Sequence, residues 1–255
     1  MRVVVIPCLK DNYAYLLIAD SGDAVIVDPS ETAPVRRAIQ REAVVPRAIW
    51  CTHHHWDHVG GNESLAIEYR LPVIAHVSER ERVPGWTRGV EDGGIERVAE
   101  ATARCLLVPG HTRGAIAYFV TSGSDHVVFT GDTMFSAGCG RLFEGTPGQM
   151  HESLTSIARL PPRTRVYSGH EYTEANLRFA ASVEPGNPDI ARSRERAGGL
   201  RARLEPTVGT TLDEENRTNP FLRARSPAIR ATLGFSPDVD DVRVFAALRA
   251  QKDAF

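Results

Sequence analysis

The stretch Thr52-His53-His54-His55-Trp56-Asp57-His58-Val59-Gly60-Gly61-Asn62 decides how this chain is read. Four imidazoles and one carboxylate fall within the six residues 53–58, directly after the apolar run Ala48-Ile49-Trp50-Cys51. That run has the character of a short buried strand, and Gly60-Gly61 closes the loop behind it. The spacing H-x-H-x-D-H is therefore presented on a tight loop at a strand end. Imidazole nitrogen together with carboxylate oxygen suits zinc, iron or manganese. One ion takes three or four protein ligands, so this loop with more distant residues can serve two ions. An expression tag would sit at a terminus and carry no embedded Asp. Four of the chain's nine histidines in one loop argue against a chance surface run.

The 255 residues can bury a large core and hold one domain, or a domain with a smaller module. Apolar content of 42% and charged content of 24% are those of an ordinary soluble globular protein. A formal net charge of −2 provides no basic field for nucleic acid or anionic membranes, so neither is expected as a partner. The leading apolar run Met1–Ile6 is too short for a signal peptide, and no stretch is long enough to span a bilayer. Cys8, Cys51, Cys105 and Cys139 form no C-x-x-C pair, which speaks against a thiolate zinc site or a redox dithiol. Cysteines in apolar runs behave as small hydrophobes, and a reducing cytoplasm is the expected location.

Along the chain, residues 3–6, 14–18 and 24–27 read as strands and about 33–41 as a helix. Strand 48–51 leads into the His loop, followed by a helix over 63–70 and a strand over 72–75. Residues 78–98 are charged and Gly-rich without a clear period, which predicts loop. Strands are expected at 105–108, 115–120, 126–130 and 165–168, and a helix at 150–160. Short strands separated by helices, in two similar stretches, predict an α/β fold of the αββα sandwich type. Apparent antiparallel neighbours fit a purely parallel sheet less well. After Glu184-Pro185-Gly186-Asn187-Pro188 the chain is Arg- and Ala-rich with no strand-like run. Helices are expected near 189–203, 211–217 and 237–252, the last with Ser236 as N-cap and Pro237 at its first position. The division predicted is a catalytic domain over 1–182 and a helical substrate-binding domain over 183–255.

Three further residues share the placement of the His loop. His111, Asp132 and His170 each follow an apolar strand and a Gly. A neighbouring Gly lets the backbone turn sharply at the strand end. One such residue alone would be weak ground; three of them after H-x-H-x-D-H are not. The motifs THHHWDHVGGN (52–62), PGHTRG (109–114), GDTMFSAGCGR (131–141) and GHEYT (169–173) resemble those of the metallo-β-lactamase superfamily. Within it they are similar to the glyoxalase II (hydroxyacylglutathione hydrolase) family, as are VEPGN (183–187), TNPFLR (218–223) and LRAQKDAF (248–255). The resemblance covers essentially the whole chain. H-x-H-x-D-H specifies only the superfamily; the Gly-rich 138–141 segment and the terminal Arg-x-x-Lys point to the thioesterase.

The resemblance implies a metallo-β-lactamase-like sandwich with a C-terminal helical module and two divalent ions, zinc foremost, with iron or manganese fitting the same donors. It implies His53, His55 and His111 on one metal, Asp57, His58 and His170 on the other, and Asp132 on both. His54 stands at a variable position of the motif. Asp57 and Asp132 are the implied catalytic residues, working with a metal-bridging hydroxide on a glutathione thioester. Arg249 and Lys252, three apart near a helix end, match the family's carboxylate-binding pair, and Arg141 and Tyr172 match further glutathione contacts. Two cations at a helix C-terminus are equally well explained by the helix dipole alone, and the resemblance decides between the readings. Arg141 stands where relatives often carry Lys. Phe143 stands where a Tyr hydroxyl would be expected, and it can stack but not donate.

The implied reaction is hydrolysis of S-(2-hydroxyacyl)glutathione, with S-lactoylglutathione the expected substrate, by a monomer. Its rivals are a glutathione persulfide dioxygenase with a single iron, a metal-dependent nuclease, a lactam hydrolase and a metal-binding module. The acidic balance opposes the nuclease and the helical tail favours the thioesterase over the dioxygenase. Asp28, at a strand end, is read either as a brace of the metal loop or as a turn residue. Trp56 is expected to pack beneath the loop, Cys139 to be inert, and His76, His126 and His151 to be ordinary residues.

Overall fold

The computed structural model describes all 255 residues. They form two compact units, the first comprising Met1–Leu107, Gly114–Gly131 and Ser168–Glu171, and the second Val108–Arg113, Asp132–Tyr167 and Tyr172–Phe255.

The first unit begins with β1 (Arg2–Cys8), β2 (Asn12–Ile18), β3 (Asp23–Val27), α1 (Thr32–Glu42) and β4 (Val45–Trp50). It continues with α2 (Trp56–Val59), α3 (Asn62–Tyr69), β5 (Val73–His76) and β6 (Arg88–Val90). Strands β1 to β6 form one sheet in chain order. The first two pairings are antiparallel and those from β3 to β6 are parallel. Then β7 (Ile95–Val98), β8 (Ala101–Leu107), β9 (Ile116–Ser122) and β10 (Asp125–Gly131) run as an antiparallel meander.

All seven residues of β2 are buried, because both faces of its sheet are covered. Ala14, Leu16 and Ile18, on one face of the pleat, join Val35, Ala38 and Ile39 of α1 and Leu65 of α3 in one apolar cluster. The opposite face meets the meander. Tyr15 lies 5.3 Å from Phe129 between ring centroids, and Trp50 stacks on Tyr118 at 4.9 Å. The Tyr118 hydroxyl, inside this layer, donates to the Cys51 and Ile74 carbonyls, which gives its buried polar tip partners. Helix, mixed sheet and meander are thus layered as the alternating apolar runs predict.

The second unit contains the hairpin β11 (Met134–Phe135) and β12 (Gly138–Cys139), then α4 (Pro147–Ala158) and β13 (Arg165–Ser168). It continues with α5 (Thr173–Val183), α6 (Pro188–Ala202), β14 (Thr210–Thr211), α7 (Leu212–Thr218), α8 (Pro227–Thr232) and α9 (Asp241–Ala254). Helix α4 opens on a capping box between Thr146 and Gln149, with Pro147 in the first turn. Phe179, Phe221 and Phe245 are fully buried, with consecutive ring centroids 6.0 and 5.6 Å apart. Leu177 and Ala180 pack on Ile190, Ala197 and Ala137.

Several expectations need correction. Residues 78–98 contain β6 and β7, too short to show a period, and Arg88 and Glu96 on them form a two-pronged ion pair at 2.7 and 2.6 Å. Helices α5 and α8 were not expected, nor was β14, which pairs with β13. The last helix starts at Asp241 with Asp240 as cap, not at Pro237. The reason is Arg230, buried beside this turn, whose guanidinium takes the carbonyls of Ser236, Pro237 and Val239 and so holds 236–239 outside the helix. All four cysteines are buried free thiols. Burial pushes Cys8 and Cys139 up to about 11 and Cys105 to about 12, so they remain protonated. No helix is long and apolar enough to cross a membrane.

Candidate metal centre and substrate site

The His loop leaves β4 and is fastened at its root by Asp28, which ends β3 in the left-handed region at φ 47°. The buried Asp28 carboxylate accepts the Thr52 N–H at 2.7 Å and the Thr52 hydroxyl at 2.6 Å. Its Oδ2 also lies 3.0 Å from His58 Nδ1. Of the two readings of Asp28, the brace is the one observed. Gly60 and Gly61 are required by close approach: a Cβ on either would fall 2.5 Å from the Ser30 carbonyl oxygen or 2.9 Å from that of Pro29. Trp56 is 72% exposed rather than packed beneath the loop. The single turn of α2 points His58 and Val59 inward and leaves its first residue on the outside.

The outer nitrogens of the histidines fix their tautomers. The Thr52 hydroxyl has one proton and gives it to Asp28, so at 3.0 Å it accepts from His53 Nδ1–H. His58 Nδ1 faces Asp28, and His170 Nδ1 faces Asp11 Oδ1 at 3.0 Å. Both partners are carboxylates and only accept, so both Nδ1 atoms carry the proton. In His53, His58 and His170 alike, Nε2 is left as the acceptor nitrogen. His53 Nε2 lies 3.1 Å from His55 Nδ1. His170 Nε2 and His58 Nε2 lie 3.4 and 3.9 Å from Asp57 Oδ2. The ligand atoms of Asp57, His58 and His170 are all within 4.8 Å of one another, as are those of Asp28, His53 and His58. Asp28 is already committed to the outer side of His58, so within the second group it acts as the brace. Neutral imidazoles converging on a carboxylate, each held from behind by an acceptor, match what a divalent cation requires.

His54 turns away from this group and its Nδ1 meets the buried Glu79 at 2.6 Å. Two residues that sequence reasoning missed complete the first unit's cluster. Asn12 Nδ2 donates to the Asp57 carbonyl at 3.0 Å and to Asp57 Oδ2 at 3.1 Å, and Asp11 holds His170. Asn12 is carried there by a bridge between its backbone and that of His170. In the sequence, Lys10-Asp11-Asn12 is only a polar turn between strands.

In the second unit, His111 Nε2 lies 3.4 Å from Asp132 Oδ2, and its Nδ1 donates to the Arg141 carbonyl at 2.9 Å. The tautomer is again the one with Nε2 as acceptor. Gly140 is needed here, since a Cβ would fall 1.9 Å from the Asp132 carbonyl oxygen.

The expected substrate contacts, Arg141, Phe143, Tyr172, Arg249 and Lys252, all belong to this unit. Phe143 is 63% exposed, with its ring 5.2 Å from that of His111. Tyr172 packs edge-on against Phe135 at 5.3 Å. Arg249 is buried on the inner face of α9. It donates to the Cys139 carbonyl at 2.8 Å and to Asp253 at 3.0 Å, and its guanidinium stands 5.1 Å from the centre of the Phe221 ring. Its buried Nε has no hydrogen-bond partner. Lys252 donates to the Ala175 carbonyl at 3.2 Å. Burial, and then the charges of Arg249 and Arg178, lower its pKa. Arg141 is exposed, 3.8 Å from Asp253.

Comparison with known proteins agrees with this geometry. Residues 10–170 match the metallo-beta-lactamase superfamily, and residues 171–255 match the family described as hydroxyacylglutathione hydrolase C-terminus. A hydroxyacylglutathione hydrolase of Synechococcus sp. (strain JA-2-3B'a(2-13)) is 47% identical over 257 residues, covering 100% of both chains. One from Maricaulis maris (strain MCS10) is 45% identical over 250 residues, covering 98% of this chain and 96% of its own. Among solved structures, TTHA1623 in a di-iron-bound form is 29% identical with a TM-score of 0.60, covering 87% of this chain and 100% of that one.

Proposed function

The chain belongs to the hydroxyacylglutathione hydrolase family of the metallo-β-lactamase superfamily, and from that premise we propose that it hydrolyses S-(2-hydroxyacyl)glutathione. S-lactoylglutathione is the substrate, glutathione and D-lactate the products, and the reaction is the second step of methylglyoxal detoxification in a reducing cytoplasm. The observation that carries this reading is the presence, in one chain, of the imidazole–carboxylate cluster at Asp57 and a C-terminal segment of the thioesterase type.

His53, His55 and His111 would hold one divalent ion, Asp57, His58 and His170 a second, with Asp132 shared between them. Zinc is the foremost choice, and the same donors take iron or manganese. When bound, such a pair lowers the pKa of water to about 7 and polarises a carbonyl oxygen. The protein's own residues do the rest. Asp28, Thr52, Asp11 and the Arg141 carbonyl keep the ligating imidazoles in the tautomer that presents Nε2. Asn12 fixes the Asp57 carboxylate, which orients the attacking water toward the thioester carbonyl. Asp132 is the other catalytic carboxylate. The departing glutathione thiolate needs no obligatory proton, which agrees with a site that supplies no separate acid.

Residues 1–182 act as the catalytic domain and 183–255 as the helical substrate-binding domain of a monomer. Arg141, Tyr172, Arg249 and Lys252 receive the glutathione moiety through its carboxylates and amides, and Phe143 contributes stacking but no hydrogen bond. Thiol release tests this reading. S-lactoylglutathione should be cleaved at least ~100-fold more efficiently than the same acyl group on a short thiol lacking the peptide. Equal efficiencies would remove the role given to the C-terminal segment.

A further inference from the structure

The turn 135–138, between β11 and β12, is held almost entirely by side chains from elsewhere in the second unit. The hairpin has only two residues in each strand, too few to support itself. Ala137 also sits in the left-handed region at φ 54°, a conformation that a non-glycine residue keeps only when its surroundings impose it.

Those surroundings are specific. Glu215, on α7 and 1% exposed, accepts the Ala137 N–H at 2.8 Å with Oε2 and the Thr210 hydroxyl at 2.7 Å with Oε1. The Asn219 amide donates to Glu215 Oε2 at 3.1 Å, to the Gly138 carbonyl at 3.0 Å and to the Phe135 carbonyl at 3.3 Å. Asn176 donates to the Ser136 carbonyl at 3.1 Å. Every residue of the turn is thus gripped through its main chain.

What this turn carries gives the grip its meaning. Phe135 packs on Tyr172, the Cys139 carbonyl receives Arg249, and the chain runs on to Arg141, whose carbonyl holds His111. We propose that Glu215, with Asn219, is a positioning residue for substrate binding: it locks the 135–138 turn and thereby sets Tyr172, Arg249 and Arg141 in register for the glutathione moiety. The proposal rests on the thioesterase reading above for its ligand, but the lock is a property of the fold.

The hydrogen bonding predicts which replacement is tolerated. The Ser136 and Thr210 hydroxyls are 3.2 Å apart, so the Thr210 proton can turn toward Ser136. A Gln at 215 can then face Ala137 and Asn219 with its carbonyl and Thr210 with its amide, and the turn keeps its acceptor. Ala provides none. Glu214, the neighbouring charge on α7, binds Ser193 and Arg196 on the other side.

The test compares wild-type, E215Q and E215A holoenzymes, with N219A as a second probe of the same lock should E215A fail to fold. For E215A, KM for S-lactoylglutathione should rise about tenfold with kcat within about threefold, while E215Q stays within about twofold of wild type in both. Amide hydrogen exchange of the peptide spanning 134–139 should accelerate in E215A or N219A and stay slow in E215Q. A wild-type KM in both E215A and N219A, or an E215Q as impaired as E215A, would overturn the proposal. A wild-type enzyme inactive on the thioester would sink the thioesterase reading instead. Hydrogen exchange alone would then decide whether the lock exists, with unchanged exchange in E215A ruling it out.

Discussion

Asp28 Oδ2 lies 3.0 Å from His58 Nδ1 while the same carboxylate accepts both the amide and the hydroxyl of Thr52. One buried acid therefore sets the tautomer of His58 directly and that of His53 through Thr52. Asp28→Asn keeps the shape and tolerates φ 47° but adds donors where three donors already point. It should weaken metal binding about 10–100-fold, measured by competition with a chromogenic chelator. Wild-type affinity would show that the tautomers are fixed in another way.

Asn12 is the only side chain besides the histidines seen to touch the Asp57 carboxylate, through Nδ2 at 3.1 Å. Hydrogen bonds to charged groups contribute about 1.5–3 kcal/mol, so Asn12→Ala should lower kcat about 10–100-fold. KM should change little, since Asn12 lies in the first unit with the metal cluster and the glutathione contacts lie in the second. Steady-state kinetics at full metal loading separates the two constants, and a change in KM alone would count against the role given to Asn12.

The contrast between Asp57 and Asn12 shows what a sequence displays and what it conceals. Four imidazoles and an acid in six residues announce a metal loop without any structure. The repeated strand-Gly-ligand pattern adds His111, Asp132 and His170. Asn12 was illegible because its partner His170 is 158 residues away and only the folded backbone bridges them. Helix α5 was missed because its buried face mixes Thr173 and Asn176 with Leu177 and Phe179 and its start carries no side-chain cap, which blurs the apolar period. The start of α9 was misplaced for a different reason: Ser236-Pro237 is a good local helix signal, and a tertiary contact from Arg230 overrides it.

Arg249 is buried and binds Cys139 and Asp253 within the protein. Arg249→Ala should raise KM for S-lactoylglutathione by about tenfold or more, with a smaller effect on kcat, because the lost contact is remote from the reacting carbonyl. A wild-type KM would refute the role assigned to the tail.

Burial pushes the Glu215 carboxyl from 4.5 up to about 7. The folded state then binds a proton that the unfolded chain releases, so this group's contribution to stability falls as pH rises from about 4.5 to about 7 and levels off above. The full loss is about 3 kcal/mol. E215Q lacks this titration. Its stability relative to wild type, from urea unfolding, should therefore rise between pH 5 and pH 8 by an amount of that order, about 3 kcal/mol. A difference independent of pH would mean that Glu215 is not held protonated by burial.

The most direct test of the whole account is hydrolysis of S-lactoylglutathione by the purified protein, with metal content read on the same sample. The account predicts rapid turnover, about two divalent ions per chain, and loss of activity on chelation that added zinc restores. No turnover in a fully metallated sample would contradict it. So would one iron per chain accompanied by oxygen uptake with glutathione persulfide.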